Sequence, residues 1–362
     1  MIEYIFVLLF LIGLVLYDFS THNSQNKKPL IYFFGFIMML LAGLRWNTGT
    51  DWDNYLYYFE YQVRDSTLGE SGFEYFYELY IRFFTFITNN YTWVLISTAF
   101  IIIFLTYKPI LKFSPYPLFS LFLLYTYSFN SSGFGYRQDL AIAITTFSII
   151  FVYNRKFLKF VFFVIIATFF HQSAIIFVFA YWIPFIKWNR KTIFLIILGV
   201  FFLGLAFSNV TNLALAFSDT AHDKVEGYTT GSYEDSVGDT SNPYLVVIRG
   251  ISNRLFLLVY IIILVKKYVH KENIKNVMFF LNLYLFGLIL FLIASPIAVV
   301  FVRFTRYFDM YFILLIPLCL YYIPKRVRFN AVIILLFYTL IKFSLFLALD
   351  EKVFVPYKSI FT

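Results

Sequence analysis

Apolar runs repeat along this chain, each broken by a short polar or basic stretch. A bilayer core asks for about 20 apolar residues per helix. The pattern predicts about twelve spans: Ile2–Tyr17, Pro29–Leu44, Tyr91–Tyr107, Tyr116–Phe129, Tyr136–Tyr153, Phe157–Phe170, Gln172–Ile186, Thr192–Phe207, Tyr244–Val265, Asn276–Ala294, Tyr307–Ile323 and Phe329–Leu349. The sixth and seventh are short and read as a hairpin. Phe73–Asn90 behaves differently. Glu74, Glu78 and Arg82 recur at helical spacing, which gives one charged face and predicts an amphipathic helix at the interface or a re-entrant element.

The breaks between runs supply an orientation. One alternating set comprises Asp18–Lys28, Lys108–Pro115, Asn154–Lys156 with Lys159, Lys187–Lys191, Lys266–Lys275 and Pro324–Arg328. It holds more than half of the 29 basic residues, but only Asp18 and Glu272 among the 20 acids. Basic loops mark the cytoplasmic side, so both termini face outward. Residues 45–90 and 208–243 then become long extracytoplasmic segments of a single integral-membrane domain spanning residues 1–362. The second is acidic and rich in Gly, Ser and Thr, as lids and binding loops often are. The expected fold is an all-α polytopic membrane protein with one additional amphipathic or re-entrant helix on the outer, periplasmic side.

Composition agrees. The chain is 61% hydrophobic and 14% charged, outside the range of soluble domains. Its net charge of +9 comes from short loops, not from a patch suited to nucleic acid. Cys319 is the single cysteine, so neither an intramolecular disulfide nor a cysteine metal cluster is available. Met1–Tyr17 has no basic leading region and no small-residue cleavage site, and reads as a retained first span. There is no Gly-rich phosphate loop, His-x-x-x-His pair or serine elbow.

Ionisable residues in apolar segments are costly and raise a functional hypothesis. Arg45, Arg137, His171, Arg249, Arg254, Arg303 and Arg306 all fall in the outer half of the predicted topology. Arg303 and Arg306, three apart, share a helix face. A planar guanidinium donates two parallel hydrogen bonds to phosphate oxygens, so Arg45, Arg249, Arg254, Arg303 and Arg306 are candidate ligands of a diphosphate. The alternative is snorkelling, each arginine reaching the interface alone.

Gly43–Tyr61, GLRWNTGTDWDNYLYYFEY, is the densest stretch. Arg45 ends an apolar helix, residues 47–50 read as a turn, and Asp51 and Asp53 follow among Trp46, Trp52 and Tyr55. A cation, two carboxylates and several aromatics suit an anionic, sugar-bearing ligand. An interfacial aromatic belt is the other reading. Asp51, Asp53 and His171 are candidate proton acceptors. Trp46, Trp52, Tyr55, Gln138 and Tyr307 are candidate sugar contacts.

GLRWNTGTDWDNYLYYF resembles the early Arg–Gly-Thr-Asp–Tyr signature of EpsG-like polysaccharide polymerases, relatives of the Wzy O-antigen polymerases. YRQDLAIAI is similar to their Arg-Gln motif, FFHQSAIIF to their His-centred motif and RFTRYF to their late Arg–Tyr motif. Asp139 departs from the pattern, where a small residue is expected. The resemblance implies a GT-C-like helical enzyme of the bacterial inner membrane with its site facing the periplasm or cell exterior. Such enzymes join repeat units carried on undecaprenyl diphosphate, for O-antigen, capsule or exopolysaccharide, without nucleotide sugar or obvious metal. A flippase and a chain-length regulator are the implied partners, and Arg137 joins the catalytic candidates. Two alternatives stay open. One is a transporter or flippase of lipid-linked oligosaccharide, the other a membrane O-acyltransferase.

Overall fold

The computed structural model describes residues 2–21, 27–49, 52–129, 137–187, 191, 194–195, 198–199, 243–270, 272–295, 299–349 and 357–361. Helix dominates these residues, and the extended pairing among them is one antiparallel bridge, Arg45 with Ser359. Five helices are long and apolar enough to cross a membrane: Glu3–Ser20, Thr92–Phe113, Ile274–Ala294, Val302–Tyr322 and Lys325–Leu345. Four shorter apolar helices accompany them: Lys28–Gly43, Pro117–Tyr127, Phe157–Phe170 and Gln172–Phe185. The predicted span Thr192–Phe207 and the acidic segment 208–243 lie largely outside the described residues. Contacts divide the chain into two compact units, 1–181 with 316–362, and 182–315.

The first unit opens with α1 (Ile2–Ser20) and α2 (Lys28–Gly43). It continues with α3, which runs from Trp52–Tyr57 through a π turn at Tyr58–Gln62 to Val63–Asp65. Next come α4 (Tyr75–Ile87), α5 (Thr92–Phe113), α6 (Pro117–Leu124, then a π turn at Tyr125–Phe129), α7 (Arg137–Tyr153) and α8 (Phe157–Phe170). Small residues set how closely α2 meets α5. A Cβ added at Gly43 would lie 2.6 Å from Ile96 Cγ1 and 2.8 Å from Ile96 Cα, so only glycine permits this approach.

Two helices run further than the apolar pattern predicts. The expected loop at Lys108–Pro115 is instead helical to Phe113, straight through Pro109. Membrane helices tolerate proline because neighbouring groups satisfy the freed carbonyl. Lys108 lies over the Phe104 ring and Lys112 over Phe113, so aromatic faces accommodate these charges on the helix. The last helix starts at Lys325, not Phe329, immediately after Pro324. Its Arg328 donates to Tyr116 Oη and to the carbonyls of Tyr321 and Ile323. Nearby, buried Lys27 pairs with buried Asp18 at 2.7 Å, and Asp18 Oδ2 accepts from the Phe119 N–H. Residues 18, 27, 116 and 328 thus gather at one end of the unit, where the charge pattern put their loops together.

After His171 the chain adopts a 3-10 helix at Gln172–Tyr181. Ala174, Phe177 and Ala180 are fully buried at strict spacing of three. That stripe runs parallel to a helix axis only at three residues per turn. At a rise of about 2.0 Å per residue, the ten residues of this helix extend about 20 Å.

In the second unit, α9 (Pro243–Tyr268) and α10 (Ile274–Ala294) are followed by a 3-10 turn at Val299–Thr305, α11 (Arg306–Asp309) and the start of α12 (Phe312–Tyr322). The α9–α10 approach is close: a Cβ on Gly250 would fall 2.2 Å from Phe291 Cζ. Buried Asn282 on α10 donates to the carbonyls of Ile183, Pro184 and Ile186, satisfying backbone at the end of the preceding segment. The final helix, α13 (Lys325–Leu349), belongs to the first unit.

Candidate functional site

Arg137 is the first residue of α7, and its guanidinium is gripped from two sides in the first unit. Its Nε donates to Tyr55 Oη at 3.1 Å, and Nη1 donates to Glu74 Oε2 at 2.5 Å. The Phe73 ring lies 4.5 Å from the guanidinium carbon, with the rings of Tyr55 and Tyr77 beyond. Two of five N–H donors are engaged in these bonds and the side chain stays 22% exposed, so the cation is fixed yet reachable from solvent. Tyr55 stacks on Phe73 at 14°, which closes the aromatic wall.

Glu74 is the hub. It has extended backbone and immediately precedes α4. Its Oε1 accepts the Gln172 N–H at 3.2 Å and stands 3.9 Å from His171 Nδ1. The Ser173 N–H donates to that same Nδ1 at 3.3 Å, and the Ser173 hydroxyl is 2.9 Å away. With Nδ1 accepting, the neutral ring carries its proton on Nε2. Nδ1 is thus engaged as an acceptor inside the protein.

Behind this cluster, Glu78 is fully buried and holds Arg82 at 2.8 Å. Burial pushes the Glu78 carboxyl up, but Arg82, the Gly69 N–H and the Ser71 hydroxyl together outweigh this and hold it below its ordinary value.

The second unit contains a separate knot. Arg254 on α9 donates from Nε to Asp309 Oδ1 at 3.1 Å and from Nη2 to Asp309 Oδ2. Nη2 also reaches Thr305 Oγ1 at 3.0 Å, and Nη1 reaches the Gly250 carbonyl at 3.2 Å. The guanidinium carbon lies 4.0 Å from the Phe291 ring centre. All three nitrogens donate inside the protein, so Arg254 is held by the fold in this geometry. Arg303 is exposed and Arg306 half-buried. They lie three apart where the 3-10 turn passes into α11, and 3-10 geometry eclipses such a pair.

A family model described as the EpsG family matches residues 28–359. The chain belongs to the EpsG family. That family is one of Wzy-like polysaccharide polymerases, which makes this a polymerase-like membrane protein. No curated protein and no solved structure matches the chain.

In this EpsG-family chain the predicted residues separate into those drawn together and those left apart. Arg137, His171 and Tyr55 meet around Glu74. Arg45 is buried beside Trp52, its guanidinium carbon 5.9 Å from that ring, and Trp52 meets Trp46 edge-on at 5.4 Å. Trp52 and Tyr55 are themselves buried, so they present edges and a hydroxyl instead of open faces. Asp53 is exposed in the first turn of α3. Gln138 is buried on α7 and Tyr307 fully buried on α11. Asp51 lies outside the described residues. Arg249 falls within α9, with its side chain outside them. Among the described residues no cluster of three His, Cys, Asp or Glu side chains is placed to hold a metal ion.

Sequence reasoning missed Glu74 and Asp309 as partners. Glu74, Glu78 and Arg82 look like one helical face, but the helix starts after Glu74, which turns to Arg137 while Glu78 keeps Arg82. The sole signal for Asp309 is its position directly after RYF in an otherwise apolar stretch.

Proposed function

We propose that this protein is a glycosyltransferase that joins oligosaccharide repeat units carried on undecaprenyl diphosphate, at the outer face of the bacterial inner membrane, to build an O-antigen, capsule or exopolysaccharide. The observation that carries the reading is Arg137, fixed by Glu74 and Tyr55 beside the His171 ring and still open to solvent. Family membership points the same way.

In the proposed step the acceptor sugar hydroxyl attacks the anomeric carbon of the donor. The bond from that carbon to the diphosphate oxygen breaks, and the leaving diphosphate takes the electron pair. Arg137 neutralises charge developing on that oxygen, the electrostatic contribution that usually dominates such reactions. The His171 Nε2–H donates to a second oxygen. Asp53 takes the acceptor proton, with Asp51 as the other candidate. Trp46, with Tyr55 and Gln138, borders the sugar. In the second unit, Arg303 and Arg306, with Arg249, are proposed to bind the diphosphate of a lipid-linked substrate. Arg254 and Tyr307 support that segment from within.

The test is incubation of the purified full chain with an undecaprenyl-diphosphate-linked repeat unit, followed by a gel. A ladder is expected. Conversion of none of the substrate by protein that is folded and correctly inserted would overturn the reading.

A further inference from the structure

A cavity of about 360 Å³ opens between α3 and the turn that precedes α4, and nothing in the proposed transfer step uses it. Its wall is α3, where Tyr57 immediately precedes the π turn and Tyr61 lies within it, their ring centres 5.3 Å apart. These rings are 55% and 60% exposed, in a chain that buries Tyr55, Tyr58 and Tyr77 close by. Gln62, Asp65, Ser66, Glu70 and Ser71 complete the lining. A π turn within a helix often marks a functional site.

We propose that this cavity is a second saccharide site, which holds neutral or amino-sugar residues of the glycan away from the transfer centre. The proposal rests on the glycosyltransferase reading above. Three observations carry it. The volume lies within the roughly 300–1,000 Å³ range of small-ligand pockets. The lining pairs exposed aromatic faces, which cover the C–H face of a pyranose, with an amide, two serine hydroxyls and two carboxylates that accept from sugar hydroxyls. Its charge is negative with no lining cation, which disfavours phosphates, lipid headgroups and uronic acids.

The site is also built in advance. Arg82 Nη2 donates to the Ser66 carbonyl at 2.7 Å, and the Ser71 hydroxyl donates to Glu78 Oε2 at 3.1 Å. The Gly69 N–H donates to that same oxygen at 2.9 Å. The Thr67 N–H donates to Glu70 Oε2 at 3.0 Å, holding Glu70 below its ordinary range as an acceptor. A floor pinned in this way loses little freedom on binding. Ser71 lines the cavity, and Glu74, three residues on, holds Arg137. Three residues of chain span at most about 11 Å, so one oligosaccharide bridges the cavity and the transfer centre.

The experiment uses the detergent-purified full chain. The probe is a set of oligosaccharides made by partial hydrolysis of the glycan that disappears when the gene is deleted from its own cells. Affinity is read by saturation-transfer NMR titration, and product length on gels. Tyr57→Ala, Tyr61→Ala and Glu70→Gln are each expected to weaken binding about tenfold, the loss typical of truncating one anchor side chain, and to shorten the product. Exposed Tyr32 on α2, changed to Ala, serves as the control for an interfacial tyrosine. All three changes are at exposed positions, and Glu70→Gln carries the test if a tyrosine variant fails to accumulate. Wild-type affinity in the cavity variants would overturn the second site. Equally tight binding of oligogalacturonate at the same residues would overturn its charge preference. A deletion that costs the cells no glycan would instead overturn the glycosyltransferase reading itself, a result separable from both.

Discussion

Arg137 and Arg254 are both arginines in a helical membrane protein, and their surroundings give them different tasks. Arg137 meets one carboxylate and one phenol and remains partly open. Arg254 is buried against Asp309, Thr305 and a backbone carbonyl. The Arg137→Lys variant keeps the charge but cannot reach Tyr55, Glu74 and a phosphate through one planar fork. It is expected to lose on the order of a hundredfold in polymerisation rate, about 2–4 kcal/mol of transition-state stabilisation, at normal abundance. Full activity would leave Arg137 only its structural tie to Glu74 and Tyr55. For Arg254, removal of one partner leaves a buried charge, which costs about 3–5 kcal/mol, whereas an apolar replacement of both is often neutral. Arg254→Met should therefore accumulate poorly and melt early. Arg254→Met combined with Asp309→Leu should recover abundance. If the single variant melts like the parent, the pair is not what holds α9 to α11.

At the scale of elements, α4 and the turn before it join the Arg137–Glu74 contact to the buried Glu78–Arg82 pair. Glu78 anchors that turn from inside the helix, binding Arg82, Gly69 and Ser71 at once. Its folded pKa lies below its ordinary value of 4.5. A depressed carboxylate contributes stability above the unfolded pKa and loses it as pH falls through the folded one. Hydrogen exchange at the Gly69 amide should thus be slow at neutral pH and quicken below about pH 4.5, beyond the intrinsic pH dependence of exchange. Glu78→Gln should give fast exchange at all pH values. A Gly69 amide equally protected at neutral and acid pH would remove Glu78 as the anchor. The same anchor holds the floor of the second cavity, so Glu78→Gln is expected to weaken saccharide binding as well.

For the molecule as a whole, the contacts of the first unit sort by side. Tyr357 Oη donates to the Leu41 carbonyl, the Trp46 N–H to the Lys358 carbonyl and the Ile360 N–H to the Leu44 carbonyl, so the segment 357–361 lies against the end of α2. Asp18, Lys27, Tyr116 and Arg328 meet elsewhere in a group of their own. The alternation of basic loops predicts that the chain's end lies outside with Arg45 and the 266–275 loop inside. Single cysteines at Ser359 and Asn273 should react with an impermeant maleimide from opposite sides of intact cells, Ser359 from outside. Native Cys319 is fully buried and adds little background. Labelling of both positions from one side would overturn the alternation.

Helical class, membrane residence and family were all legible in the residue order, because each depends on patterns that are local or additive. Apolar runs of set length, basic residues confined to short loops and four short motifs survive without knowledge of distant contacts. The ends of helices were less legible. Pro109 reads as a stop, yet α5 passes through it, and the spacing of Ala174, Phe177 and Ala180 signals a 3-10 helix only once their burial is known. Partnership was not legible at all. Glu74 and Arg137 are 63 residues apart and Arg254 and Asp309 are 55 apart. A carboxylate is as favourable solvated at the interface as paired with one of many arginines, so no local pattern selects its partner. The cavity between Tyr57, Tyr61 and Glu70 depended likewise on the turn that Glu78 ties down. Local periodicity determined which segments are helices and that they sit in a bilayer; tertiary packing alone decided which charges meet, because desolvated ion pairs form only where separate helices bring both partners out of water.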